Sequence, residues 1–159
     1  MKFSENWLRE LVPVDADHAE LCRRLTMVGL EVEGVEILGA GLDHVVVGEI
    51  VACGKHPNAD KLRVCQVSIG DPAPRQIVCG APNARVGLKA PLALPGATLP
   101  NGIAIKKAAL RGVESGGMLC SAKELGFDAD ASGLLELPAD APAGLALAQY
   151  LGLPDASIE

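Results

Sequence analysis

The strongest constraint on this chain is a change of hydrophobic period at Leu30. Up to Gly29 the apolar residues recur at helical spacing, whereas Leu30 to Ile37 reads L-E-V-E-G-V-E-I, the alternation of a strand with one wet face. Ser4 is placed to cap a helix running to about Val12, with Phe3 and Leu8 as a hydrophobic staple and Trp7, Leu8 and Leu11 on one face. Pro13 ends it. Asp17 and Glu20 form a capping box for a second helix, Leu21, Leu25 and Val28 make its stripe, and Gly29 stands where a C-terminal cap belongs.

Beyond Gly39-Ala40-Gly41, clusters of Gly, Pro and Asn interrupt the chain too often for helices of ordinary length. Strands are expected at Val45 to Cys53 with a bend at Gly48, at Leu62 to Ile69, Gln76 to Cys79, Ala90 to Leu94, Ile103 to Leu110, Met118 to Cys120 and Leu134 to Leu137. Ser121 and Glu124 predict a short helix closed by Gly126, and Leu145 to Leu151 a last one. The fold class is therefore mainly β. Many short strands with one short helix fit a small closed Greek-key barrel of the OB type, accompanied by a small α+β piece.

The 159 residues suit one ordinary domain or one with an appendage. Although 49% of residues are hydrophobic, no apolar run approaches the ~18 residues of a membrane span, and Met1-Lys2-Phe3-Ser4 lacks a signal peptide's layout, so a cytoplasmic protein is expected. Cys22, Cys53, Cys65, Cys79 and Cys120 are odd in number with no C-x-x-C pair, which favours reduced thiols over a disulfide framework or a zinc ribbon. The net charge of -6 disfavours a nucleic-acid partner until it is divided along the chain. Residues 1–38 carry 4 basic and 8 acidic side chains, residues 39–150 carry 10 of each, and between 85 and 123 Arg85, Lys89, Lys106, Lys107, Arg111 and Lys123 face only Glu114.

The most distinctive run is His56-Pro57-Asn58-Ala59-Asp60-Lys61-Leu62-Arg63-Val64, a turn surrounded by cations. It stands with Ile77-Val78-Cys79-Gly80-Ala81-Pro82-Asn83, with Leu94-Pro95-Gly96-Ala97, and with the stretch from Lys106 through Arg111-Gly112 and Gly116-Gly117 to Ser121. Together these motifs resemble the tRNA-binding OB module of free-standing tRNA-binding proteins, of some methionyl-tRNA synthetases and of the bacterial phenylalanyl-tRNA synthetase beta subunit. The opening Met1-Lys2-Phe3-Ser4-Glu5-Asn6-Trp7-Leu8 and the Cys79-Gly80-Ala81-Pro82-Asn83 form of the third-strand motif are similar to the beta subunit in particular.

The resemblance implies an OB module over residues 39–150, inserted in a small and incomplete α+β domain. Residues 1–38 would be that domain's first half and 151–159 the start of its truncated return segment. It implies tRNA as a partner, along with the synthetase alpha subunit and the rest of the beta subunit. It implies no cofactor in this fragment, ATP and Mg2+ being handled by the alpha subunit of the whole enzyme. Carried over by position, the RNA-facing residues are Lys55, Asn58, Lys61, Lys106, Lys107, Arg111, Ser115, Met118 and Ser121. Lys and Arg neutralise phosphates, Asn and Ser bond riboses or base edges, and glycine lets backbone approach a ligand.

The expected barrel strands contain no Phe, Tyr or Trp, so base stacking is not available there. Trp7, Phe3, Phe127 and Tyr150 read as packing residues at helix ends. A nucleophile reading from Cys120 or Cys53 with His56 and Asp60 lacks a third group to orient the histidine. A metal site from Cys53, His56, Cys65 and Cys79 lacks the short paired spacings that zinc knuckles use. The alternatives to weak, shape-based tRNA contact are a structural or subunit-interaction insert and a free-standing tRNA-binding protein.

Overall fold

The computed structural model describes every residue from Met1 to Glu159. In chain order the elements are β1 (Phe3–Ser4), α1 (Glu5–Leu11), α2 (His18–Met27), β2 (Val35–Leu38), β3 (Val45–His56), β4 (Ala59–Ser68), β5 (Arg75–Cys79), β6 (Lys89–Ala93), β7 (Ala108–Leu110), β8 (Val113–Ser115), β9 (Met118–Leu119), α3 (Leu147–Tyr150) and β10 (Asp155–Ile158). They divide into two compact units, one of Met1–Ala40 with Gly152–Glu159, the other of Gly41–Leu151.

In the first unit the helix starts follow local chemistry. Ser4 Oγ accepts the Trp7 N–H at 3.0 Å to cap α1, and Asp17 Oδ1 accepts the Glu20 N–H at 2.8 Å to cap α2. The reciprocal half of the expected box is absent, because the Glu20 carboxylate turns to Arg23 and Arg24, whose hydrogen bonds hold its pKa at about 2. The alternating row from Leu30 forms ladder only over Val35–Leu38. A strand is as long as its partner, and here the partner is the four-residue β10, from Asp155↔Leu38 to Ile158↔Val35. β10 is the middle strand of the antiparallel order β1-β10-β2, and Ala156 and Ile158 are buried, as is Leu21 of α2. Trp7, read from sequence as a packing residue, is instead 58% exposed, and Leu11, Met27, Val28, Leu30 and Ile37 are exposed with it.

Glu5 is the buried charge of this unit. Its Oε1 accepts from Arg9 Nε and Nη2 at 2.9 and 2.7 Å, and its Oε2 meets His18 Nδ1. Burial alone would raise this carboxyl. The hydrogen bonds and charges of His18 and Arg9 outweigh it and hold Glu5 below its ordinary value.

The second unit is a nearly closed antiparallel barrel of order β5-β4-β3-β6-β9, which makes the chain mainly β. Along β3, Ile50 joins Cys65, Val67, Ile77, Leu92 and Leu119 in the barrel core with Val46 packed against it, while Val45 and Val47 are buried on the opposite face of the strand. A register shift between Ile50 and Ala52 marks a β-bulge that bends β3, which re-aims the second half of the strand. The seam between β5 and the β8–β9 segment closes through side chains as well as backbone. Gly116 N–H donates to Gln76 O at 2.9 Å, Gln76 Nε2 to Glu114 O at 2.9 Å, and Val78 N–H to Ser115 Oγ at 3.0 Å.

Three expected elements differ. The strand read over Ile103–Leu110 survives only as β7, whose partner β8 was not foreseen, because Arg111-Gly112 is a two-residue turn rather than a strand end. Leu134–Leu137 is a single extended stretch without a strand ladder, held by Leu135 N–H to Cys120 O at 3.0 Å and Leu137 N–H to Lys89 O at 2.8 Å. The Ser121–Glu124 box does form, but the residues after it make successive turns in place of a helix.

Gly48 is required by close approach rather than by a bend. A Cβ there would stand 2.7 Å from Val67 Cγ1 and 3.2 Å from Leu92 Cβ. Gly48→Ala should therefore destabilise the barrel by about 1–3 kcal/mol through overpacking, read as a lower urea midpoint at unchanged slope. A second expectation concerns acid. Because the folded pKa of Glu5 is depressed, its contribution is fully present above the ordinary value of 4.5 and is lost as pH falls through the lower folded value. Amide exchange of Leu21 and Leu25 should accelerate over that window, and Glu5→Gln should abolish this part of the pH dependence.

Candidate nucleic-acid interface

The sequence-derived residues fall on two hairpins and two adjoining grooves. The β3–β4 turn carries Lys55, Asn58 and Lys61, all exposed, and the β7–β8 hairpin carries Arg111 at its tip. Two hydrogen bonds tie one turn to the other. Asn58 Nδ2 donates to Arg111 O at 3.0 Å, and His56 Nε2 lies 2.8 Å from Leu110 O. The His56 ring is buried, and its Nδ1 accepts the Asn58 N–H at 3.0 Å, so the proton sits on Nε2 and the ring donates to Leu110. His56 is thus a latch between hairpins, with no thiol within its hydrogen bonds. Its neighbour Pro57 and the turn chemistry were legible, but its long-range partner had no sequence signal.

Arg111 adopts φ +51° and Gly112 φ +85°, the two positive angles of a type I′ turn between Leu110 and Val113. Glycine meets that demand freely. Arginine does not, at a cost of roughly 1–2 kcal/mol for a left-handed L-residue, and the bonds from Asn58 and His56 to the flanking carbonyls hold the conformation in place.

Lys106, Ser115, Met118 and Ser121 line a groove of about 710 Å3, with Cys79 and Glu124 on its walls. Lys107 lies on a second depression of about 580 Å3 beside Arg75 and Gln76. Several of the polar groups are already engaged within the fold. Ser115 is buried and its Oγ both accepts from Val78 N–H and donates to Gly117 O at 2.9 Å, while Ser121 Oγ donates to Glu124 Oε2 at 2.8 Å. Asn58 is engaged by Arg111. The groove floor also needs Gly117, where a Cβ would stand 2.6 Å from Ala93 O.

The cations sort differently from the linear count. Arg85 forms a forked pair with Glu136 at 2.9 and 3.0 Å, and Lys89 Nζ donates to Ala141 O at 2.7 Å, so both serve the fold. The Arg85 and Asn83 hydrogen bonds hold Glu136 at about 2. Lys55, Lys61, Lys106, Lys107 and Arg111 belong to no ion pair. Asn83, which the sequence marked only as part of a motif, is a clamp: its side chain accepts from Leu134 N–H at 2.8 Å and donates to Leu134 O at 3.0 Å.

Burial pushes the Cys120 thiol up to about 12, and its Sγ donates to the Met118 carbonyl with no histidine or second thiol bonded to it, so it lacks the base or partner that a nucleophilic cysteine needs. No group of three or more His, Cys, Asp or Glu side chains is placed to hold a metal ion. No helix is long and apolar enough to cross a membrane.

Comparison with known proteins bears on this geometry. A family model described as a putative tRNA binding domain matches residues 45–146. The phenylalanine–tRNA ligase beta subunit of Xanthomonas campestris pv. campestris (strain 8004) is 64% identical over 159 residues, which is 100% of this chain and 20% of that protein. Those of Xylella fastidiosa (strain 9a5c) and Dechloromonas aromatica (strain RCB) are each 58% identical, over 100% and 98% of this chain and 20% of theirs. The chain thus spans about a fifth of the length of the curated relatives it matches. Among solved structures, a MetRS related protein from Pyrococcus horikoshii aligns at TM-score 0.48 and 23% identity, over 65% of this chain and 87% of that one.

The turn geometry gives a prediction of its own. Arg111→Asn places the preferred residue pair in the type I′ turn and should raise stability by about 0.5–1 kcal/mol in urea unfolding. Arg111→Val, β-branched at the same positive φ, should lower it.

Proposed function

The chain belongs to the tRNA-binding domain family, and we propose that it serves as the non-catalytic tRNA-contacting part of a phenylalanine–tRNA ligase beta subunit, acting in the cytoplasm. The observation that carries this reading is the set of five cations without carboxylate partners, gathered on the two latched hairpins and the adjoining grooves. In this reading Lys55, Lys61 and Arg111 meet phosphates at the hairpin tips, and Lys106 and Lys107 meet them along the groove rims. Ser115, Met118 and Ser121 shape the groove wall, and Asn58 acts by holding Arg111. The absence of aromatic side chains on the barrel strands makes the contact one of charge and shape, without stacked bases.

The chemistry of the whole ligase lies elsewhere in this reading. ATP and Mg2+ belong with the alpha subunit, and the residues here do not fit them: there is no three-residue metal cluster and no phosphate-cradling glycine loop leading into a helix. A second role is supported by the first unit, whose exposed Trp7, Leu11, Met27, Val28, Leu30 and Ile37 fit burial against the alpha subunit or the rest of the beta subunit.

Titration of the chain with tRNA at several salt concentrations tests the proposal. Lys106→Glu with Lys107→Glu should weaken binding and flatten the plot of log affinity against log salt by about 0.7–0.9 for each phosphate no longer neutralised. Equal affinity and slope in the double variant would leave the subunit-contact role alone standing.

A further inference from the structure

Two of the five cysteines are placed to react with one another. Cys53 of β3 and Cys65 of β4 are directly opposed in the antiparallel register, and their sulfurs are 3.5 Å apart. Opposed residues in such a ladder have Cα atoms about 4.5 or 5.5 Å apart, and both values lie inside the disulfide range of about 4.4–6.8 Å. Closing to the ~2.05 Å of an S–S bond therefore needs side-chain rotation, without moving a strand. The other thiols are not so placed. Cys79 is opposite Arg63 and only diagonal to Cys65, a separation of about 7–8 Å. Cys120 is buried with its sulfur on Met118 O, and Cys22 belongs to the other unit.

We propose that Cys53 and Cys65 form a reversible oxidation site that closes to an intramolecular disulfide under a peroxide-class oxidant. Their exposure sets the order of events. Cys53 is half-buried at the rim of the core and open to a small oxidant, whereas Cys65 is fully buried and its thiol is pushed up to about 12, mainly by burial. The Cys53 thiolate attacks one peroxide oxygen; the O–O bond breaks and the departing hydroxide takes a proton to leave as water, giving a sulfenic acid. The Cys65 sulfur then attacks the Cys53 sulfur; the S–O bond breaks, and the hydroxide leaves as a second water with the Cys65 proton. One peroxide and two thiols give one disulfide and two waters. A dithiol reductant reverses the change by exchange.

The ring so formed contains Lys55, Asn58 and Lys61, so oxidation ties off the turn that holds Arg111 through Asn58. It adds a covalent tie beside the β-bulge of β3, where the ladder is interrupted.

The test treats the whole chain with hydrogen peroxide, blocks free thiols by alkylation in denaturant, and maps peptides by mass spectrometry without reduction. The expected product is a Cys53–Cys65 cross-linked peptide that dithiothreitol releases. Cys65→Ser should stop the cross-link and leave Cys53 as a sulfenic acid captured by dimedone. Cys79→Ser should leave the cross-link unchanged. Cys53→Ala, at a half-buried position, guards against loss of fold by the serine variant and should also abolish the bridge. Oxidation confined to Cys22, or over-oxidation of Cys53 with Cys65 still free to alkylate after unfolding, would overturn the proposal.

Discussion

The barrel depends on β3 being long and bent. Its first half pairs with β6 from Val45↔Ala93 to Glu49↔Lys89, its second half runs with β4 to the turn, and the bulge near Val51 separates the two tasks. A straight twelve-residue strand would carry its far end away from the small core. The bend lets one segment line the core with Val46 and Ile50 and then deliver His56 to Leu110 across the unit. Gly48 is a local requirement of the same geometry, because β3 passes so close to Val67 and Leu92 that a methyl group has no room.

The latch at the end of β3 explains how an exposed cationic hairpin keeps its shape. A hairpin of two three-residue strands with an arginine in left-handed conformation is a weak element alone. Three bonds around Asn58 and His56, with the β5–β8 seam on the other side, fix its position while leaving Arg111 at its tip exposed. Strain at Arg111 and exposure of the cations thus go together. Residues engaged in the fold carry the geometry, and residues left without partners carry the charge.

What could be read in the sequence was whatever depends on neighbours along the chain. Ser4 and Asp17 declared their helices, the turn residues declared most of the barrel strands, and the motifs carried the family. The failures share one cause, which is distance along the chain. Nothing local says that Asn83 clamps Leu134, that Arg85 is neutralised by Glu136, or that Ser115 closes the seam at Val78. The run from Leu30 shows the same limit from the other side, since its alternation extends over eight residues but its partner has four. A charge count along the chain therefore overstates the basic face, and side-chain bonding has to be subtracted before the cations are read as a binding surface.

The first unit is built from the two ends of the chain, and this sets a favoured order of assembly. β1 and β2 do not pair with each other; each pairs with β10, and Asn6 N–H donates to Asp155 Oδ1 at 2.9 Å while Glu159 N–H donates to Gly34 O at 2.9 Å. In an unfolded chain those contacts close a loop of more than a hundred residues. Within the barrel unit, however, Val46 bridges Ala146 and Val47 N–H donates to Leu145 O at 2.9 Å, so the entry strand and the exit segment before α3 lie side by side. Once that bridge exists, the effective loop shrinks to roughly 17 residues, from Leu38 to Val46 and from Ala146 to Asp155, which lowers the closure cost by about 2 kcal/mol on logarithmic scaling. For a unit of 48 residues with a four-residue central strand, a term of that size is a large share of the available stability. The barrel has no such dependence, because all five of its main strands lie between Gly41 and Leu151. Folding of the barrel first, with β10 docking afterwards, is therefore the route of lower entropic cost.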